Sequence, residues 1–215
     1  GRLTGWGGGN HGPTLLSVMT GKTKRTIWIL GDQLSPSVSS LSDTDKAQSV
    51  VLMAESFARA NKLPYHKQKL VLVWSAMRHF AEELREAGYE VDYYEAQPNL
   101  RKALQAHRKT HKTRRLRLME SAEYGISARL AEMARREGFE VERTPNNLFS
   151  SDKEEFARDA RGKKKLLMES FYRKMRRKTG LLIDEDEPVG GKWNYDRENR
   201  QRPPRGHRFP ELPRF

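Results

Sequence analysis

The sequence predicts an α/β domain, a five-stranded parallel sheet with helices on both faces, followed by C-terminal helices and an extended tail. Three observations predict it. Short apolar runs bounded by turn residues alternate with longer stretches whose apolar residues recur at helical spacing. A pattern beginning at Ala81 returns fifty residues later at Ala131. Finally, 4 Trp, 7 Tyr and 8 Phe supply a core despite a mean hydropathy of -0.87.

Residues 1–25 are rich in Gly, Thr and Lys, contain Gly7-Gly8-Gly9 and have no acid. They read as a flexible tail. They lack the apolar stretch of a secretory signal, and an acid-free basic segment suits the remnant of an organelle transit peptide. The expected location is therefore the cytoplasm, or alternatively a plastid or other organelle after removal of a transit peptide.

The first strand is Thr26-Ile27-Trp28-Ile29-Leu30, β-branched and aromatic, stopped by Gly31-Asp32. Residues 49–53 give the second, ending at Ala54-Glu55. Across residues 67–87, Leu70, Val73, Trp74, Met77, Phe80, Ala81 and Leu84 fall on one helical face, and Gly88 supplies the stop. Ala81 to Asp92 then resembles Ala131 to Glu142: each is a helix end, a glycine and a strand opening on aromatic-Glu-Val. Between the copies lie a helix near residues 100–111 and a strand near 115–119. After the fifth strand come a loop at 146–151, a short helix at 152–161 with an Asp cap, and an amphipathic helix at 165–179 closed by Gly180. Beyond Asp184 the chain turns polar and proline-bearing, as an extended linker does. The domains are thus a tail, 1–25; an α/β domain of the Rossmann-like or flavodoxin-like kind, 26–183; and a linker segment, 184–215.

The 41 Lys plus Arg against 28 Asp plus Glu give a formal charge of +13. The excess is localised. Residues 101–118 hold eight Lys or Arg and no acid, and residues 161–178 hold nine against the single Glu169. Such windows suit a phosphate backbone or an acidic protein, and equally a solvated helix face. The partner-binding candidates are Arg108, Lys109, Lys112, Arg114 and Arg115 in the first window, and Arg173, Lys174, Arg176 and Arg177 in the second. Phe171 and Tyr172 interleave with the second, at a spacing commoner in cores than in stacking platforms. The 215 residues contain no cysteine, which excludes disulfides, thiolate metal sites and cysteine nucleophiles within them. No apolar run approaches the about 20 residues of a membrane-spanning helix, so membrane insertion is not expected.

In an open parallel sheet, ligands bind at the carboxyl ends of the strands. Gly31-Asp32-Gln33-Leu34, Glu55, Glu95, Glu120-Ser121 and Asn146-Asn147 fall there. No glycine-rich phosphate loop follows a strand. Carboxylates and amides suit hydroxyls and ring N–H groups, hence a polyol or heterocycle over a phosphate, although Asp after a strand serves equally as a turn residue or cap. His66 could titrate, hold a ligand or cap the helix that follows. His107 and His111 have metal-ligand spacing but sit in the basic run, so they read as surface residues, and no metal site is expected. No catalytic constellation can be placed.

Ile29 to Leu34, Tyr65-His66-Lys67-Gln68-Lys69, Ser75 to Ala81 and Lys192-Trp193-Asn194-Tyr195-Asp196-Arg197-Glu198-Asn199-Arg200 together resemble the N-terminal domain of the prokaryotic photolyase-related proteins, the iron-sulfur bacterial cryptochromes and (6-4) photolyases. The similarity runs from about Thr26 to the end. The resemblance implies an antenna domain for 6,7-dimethyl-8-ribityllumazine, with Gly31, Asp32, Gln33, Leu34 and Glu55, and also His66 and Lys69, as ligand contacts. In that family FAD, an iron-sulfur cluster and damaged DNA are held by a helical domain beyond the linker, so neither FAD nor a cluster is expected in this chain, and it is not expected to act as an enzyme by itself. It is expected to be either a fragment of a photolyase or a stand-alone relative. The alternative function is an accessory subunit that docks DNA or an acidic protein through the basic windows.

Overall fold

The computed structural model of the chain describes residues 24–199, 202–208 and 210–211. Of the expected tail at 1–25, only Lys24 and Arg25 fall among them, and Arg25 already opens the first strand. The elements are β1 (Arg25–Trp28), β2 (Ser49–Ser56), α1 (Phe57–Ala60), α2 (Lys67–Glu86), β3 (Glu90–Gln97), α3 (Leu100–His111), β4 (Arg115–Met119), α4 (Ile126–Arg136), β5 (Glu140–Thr144), α5 (Lys153–Ala160), α6 (Met168–Thr179), β6 (Ile183–Asp184), β7 (Glu187–Pro188) and α7 (Asp196–Asn199).

β1 to β5 form one parallel sheet in the order β3-β2-β1-β4-β5, with Thr26 opposite both Val50 and Leu116. Because side chains alternate along a strand, the sheet buries two different sets. Ile27, Ile29, Val51 and Met53 pack with Met77, Phe80, Ala81 and Leu84 of α2. Trp28, Leu52, Leu116 and Leu118 pack with Leu104 of α3 and Leu130 and Ala134 of α4. Helices thus cover both faces, which is why the apolar runs show no polar alternation. Each fully buried Leu or Phe contributes about 1.5–3 kcal/mol.

The duplicated sequence is a duplicated helix stop. Gly88 and Gly138 have φ of +88° and +80°. In each copy the following aromatic N–H reaches back into the last helical turn, Tyr89 to the Leu84 carbonyl at 2.9 Å and Phe139 to the Ala134 carbonyl at 3.0 Å. Only glycine takes that left-handed position without cost, and each turn aims the chain into β3 or β5.

Several boundaries differ from expectation. β2 runs on through Ala54 and Glu55 to Ser56 with all eight residues buried, because it lies between β1 and β3 under helices on both faces. β3 continues through Glu95 to Gln97. α6 begins at Met168, after an uncapped Leu167, and not at residue 165. The segment beyond Asp184 is not wholly irregular: β6 and β7 pair antiparallel, Ile183 opposite Pro188, and α7 follows. Chain contacts divide the molecule between Pro145 and Asn146, whereas the sequence places the boundary at 183. The reading of His107 and His111 as surface residues is overturned. His107 is fully buried and the His111 side chain is only 15% exposed, because the inward stripe of α3 that begins at Ala103 and Leu104 continues through both. Among the described residues no helix is long and apolar enough to cross a membrane.

Candidate functional site

The strand order reverses between β1 and β4, and their carboxyl ends open the crevice where such sheets bind ligands. Gln33 is buried at this point. Its side-chain amide donates to the Met119 carbonyl at 3.3 Å and to that of Glu120 at 3.5 Å, while its oxygen accepts from the Leu30 N–H at 3.4 Å. It therefore ties the exits of β1 and β4 together as the floor of the crevice. Gly31 is needed for close approach: a Cβ there would lie 2.9 Å from the Met77 sulfur. Leu34 packs partly buried on the α2-side core. Asp32 is exposed at the lip.

Glu55 is 1% exposed and held by four hydrogen bonds from three residues. Arg78 donates to both oxygens, at 2.7 and 3.2 Å, the Tyr93 hydroxyl at 2.9 Å and the Ala96 N–H at 2.9 Å. Burial works to raise its pKa, yet these hydrogen bonds overcome that and hold the carboxyl below its ordinary 4.5. The same pairing raises the pKa of Arg78, and burial with the bond to Glu55 raises that of Tyr93. Arg78 also reaches Glu95 at 3.2 Å. Glu55 is thus committed to joining β2, β3 and α2.

The exposed side of the rim is built by residues that sequence reasoning missed. Ser56 caps α1, accepting from the Arg59 N–H, and so sets Arg59 and Lys62 beside Glu123 of the β4–α4 connection. Arg59 and Lys62 both bond this carboxylate, Lys62 at 2.9 Å, and they pull it down to about 2. The Arg59 pKa is raised, chiefly by Glu123 against a burial penalty, with further contributions from Tyr65 and Asp32. Asp32, Arg59, Tyr65 and Glu123 therefore share one electrostatic neighbourhood. His66 is the N-cap of α2, its Nδ1 accepting from the Gln68 N–H at 3.2 Å, and the Lys69 ammonium lies 4.8 Å over the Tyr65 ring. Ser121 accepts from the Glu123 N–H at 3.1 Å, and Arg143 faces Glu120 at 3.7 Å. Asn146 belongs to the second unit, where it accepts from the Leu148 N–H at 3.0 Å.

A polyol needs acceptors and donors that are not already engaged. Among the described residues, the side chains of Asp32, Tyr65 and Lys69 make no hydrogen bond, whereas those of Gln33 and Glu55 are engaged in the scaffold. A signal for Arg59 and Glu123 was available in the positions that follow β2 and β4, which face the same crevice. No sequence signal joins Arg78 to Glu55.

The first basic window gathers at the opposite end of the strands. Arg108, Lys109, Lys112 and Arg114 line an open concavity of about 410 Å³ together with Gln105 and Glu137. Arg108 donates to the Glu137 carbonyl and lies over Phe139, while Arg115 is exposed on β4. Much of the second window is committed internally. Arg173 pairs with Glu169 at 2.8 Å and Lys174 with Asp159 at 3.0 Å. Arg176, expected to face a partner, is buried, tying α6 to the turn that follows it through the Leu181 and Leu182 carbonyls. Arg173, Arg176 and Arg177 surround the Trp193 ring, Arg177 at 4.5 Å from its centre. Phe171 is partly buried and meets Phe156 edge to face at 5.3 Å, while Phe156 and Tyr172 are exposed.

Residues 27–215 match the family model described as deoxyribodipyrimidine photo-lyase-related protein. Over 184 residues the chain is 41% identical to a (6-4) photolyase of Agrobacterium fabrum, an alignment covering 81% of this chain and 36% of that protein. It is 28% identical over 153 residues to an uncharacterized protein of Acanthamoeba polyphaga mimivirus, covering 68% and 74%. The chain thus spans about a third of the length of the photolyase it matches.

Proposed function

Because the chain belongs to the deoxyribodipyrimidine photo-lyase-related protein family, we propose that its α/β unit is a light-harvesting module that binds a ribityl-lumazine chromophore in the β1–β4 crevice. The observation that carries this reading is the crevice floor, where Gln33 bridges the two diverging strands beneath an exposed Asp32. Asp32 accepts from ribityl hydroxyls, Gly31 lets Met77 of α2 pack against the turn that carries Asp32, and Tyr65 and Lys69 flank the entrance. Gln33 and Glu55 fix the positions of these groups without touching the ligand. When bound, 6,7-dimethyl-8-ribityllumazine supplies light absorption.

The test is titration of the chain with 6,7-dimethyl-8-ribityllumazine, followed by the ligand's fluorescence. Saturable binding is expected, weakened roughly tenfold or more by Asp32→Ala, because a hydrogen bond to a charged group contributes about 1.5–3 kcal/mol. No binding, or equal binding by the variant, overturns the reading. The accessory reading is favoured by one observation, the basic concavity at the other end of the sheet. There the Lys and Arg side chains suit a polyanion such as DNA, and salt-sensitive binding to duplex DNA is its test.

A further inference from the structure

The buried His107 and the partly buried His111 of α3 face two carboxylates of β3. Residues two apart on a strand share a face, as do residues four apart on a helix. Glu90 and Asp92 therefore meet His107 and His111. Asp92 Oδ2 lies 2.7 Å from His107 Nδ1 and 3.1 Å from His111 Nε2. These three ligand atoms all fall within 4.8 Å of one another. The two imidazole rings are 4.6 Å apart.

Each of the three groups is held from behind. The far nitrogen of His107, Nε2, is 2.8 Å from the hydroxyl of buried Thr26. The far nitrogen of His111, Nδ1, faces Glu90 Oε1 at 3.6 Å, and Lys24 bonds the other Glu90 oxygen. The Tyr94 hydroxyl donates to Asp92 Oδ2 at 2.7 Å. Outer oxygens that fix the ring orientation and proton position of ligating histidines are the usual companions of a metal. Thr26, His107 and Asp92 also form a hydroxyl–imidazole–carboxylate chain, but Thr26 is wholly buried, so no substrate reaches it.

We propose that Asp92, His107 and His111 form a three-ligand site for a divalent transition metal, with Zn2+ the best match. The donor set is nitrogen and oxygen without sulfur, as the cysteine-free sequence requires, and three protein ligands leave a fourth position for water. With metal–ligand distances of about 2.0–2.1 Å, ligand atoms in a tetrahedral site lie about 3.3 Å apart, so the His107–Asp92 spacing widens by about 0.6 Å and the His111–Asp92 spacing by about 0.2 Å. The side chains of Asp92 and His111 are 24% and 15% exposed against 0% for His107, so the ion enters from the His111 side and its water faces solvent. The two negative charges of Glu90 and Asp92 offset the basic window around them. This site is independent of the chromophore crevice, which lies at the other ends of the strands.

The test is a competition titration of the metal-stripped full chain with Zn2+ against a chromophoric chelator, with Co2+ as a spectroscopic substitute. One saturable equivalent is expected, and Co2+ should show the intense visible bands of four-coordinate geometry. His111→Ala and His111→Gln should each weaken Zn2+ at least a hundredfold. Glu90→Gln, which leaves all three ligands in place, should weaken it about tenfold. His79→Ala, at an exposed histidine elsewhere, should change nothing. Absence of a saturable equivalent, or equal affinity in the folded His111 variants, overturns the proposal.

Discussion

Glu55 is a carboxylate kept ionised inside the sheet, and its consequences belong to single residues. Its folded pKa lies below the ordinary 4.5. The unfolded chain therefore binds the proton more readily, and the stabilisation is fully present above about pH 4.5 and lost as pH falls through the lowered folded value. Urea midpoints should fall as pH drops toward about 3, and Glu55→Gln should lower the midpoint at neutral pH while flattening that fall. Arg78→Ala should lower the same midpoint, by less than the loss of a fully buried pair would, because the Arg78 side chain is half exposed and screened by water. Gly31→Ala should cost about 1–2 kcal/mol by driving a methyl into Met77, read from the same curves. The sequence marks Glu55 as a strand-end carboxylate, which suits a ligand contact. Its burial depends on a guanidinium 23 residues later, and no local pattern encodes that. His107 was legible in principle: it continues the buried stripe of α3, and the charge of its neighbours concealed this.

At the scale of elements, α3 and β4 have the bounds read from the sequence, because helical spacing and β-branched or aliphatic runs report burial directly. The missed features lack such reporters. β6 and β7 have two residues each, too few for a period, and Leu166 and Leu167 extend the apolar pattern of α6 although the helix starts after them. The repeated glycine stops yield a paired prediction. Alanine at either position pays about 1 kcal/mol for the left-handed conformation. At Gly88 its Cβ meets nothing within 4 Å, whereas at Gly138 it meets the Arg108 guanidinium at 2.8 Å. Gly138→Ala should therefore destabilise the protein more than Gly88→Ala in chemical denaturation, and Arg108→Ala should narrow the gap.

For the whole molecule, both core clusters lie entirely before Pro145. A chain ending at Pro145 should retain the sheet and unfold in one cooperative step, followed by circular dichroism; loss of cooperativity would mean that residues from 146 on are part of the folding unit. The net charge of +13 divides in the same way. The cations of the second window are largely paired with acids and carbonyls, while the first window opens onto a concavity. If duplex DNA binds there, Lys109→Glu with Lys112→Glu should lower the salt dependence by about two phosphate contacts, measured by titration across salt concentrations. The order β3-β2-β1-β4-β5 also dictates a sequence of events at the ribosome. β1, β2 and β3 can assemble once Gln97 has emerged, but Ile27 and Trp28 then border an open edge until Met119 follows. At about 5–20 residues per second this interval lasts roughly 1–4 s. In it the nascent half-sheet offers an apolar strand to any neighbouring chain, so the yield of folded protein depends on how quickly synthesis delivers β4.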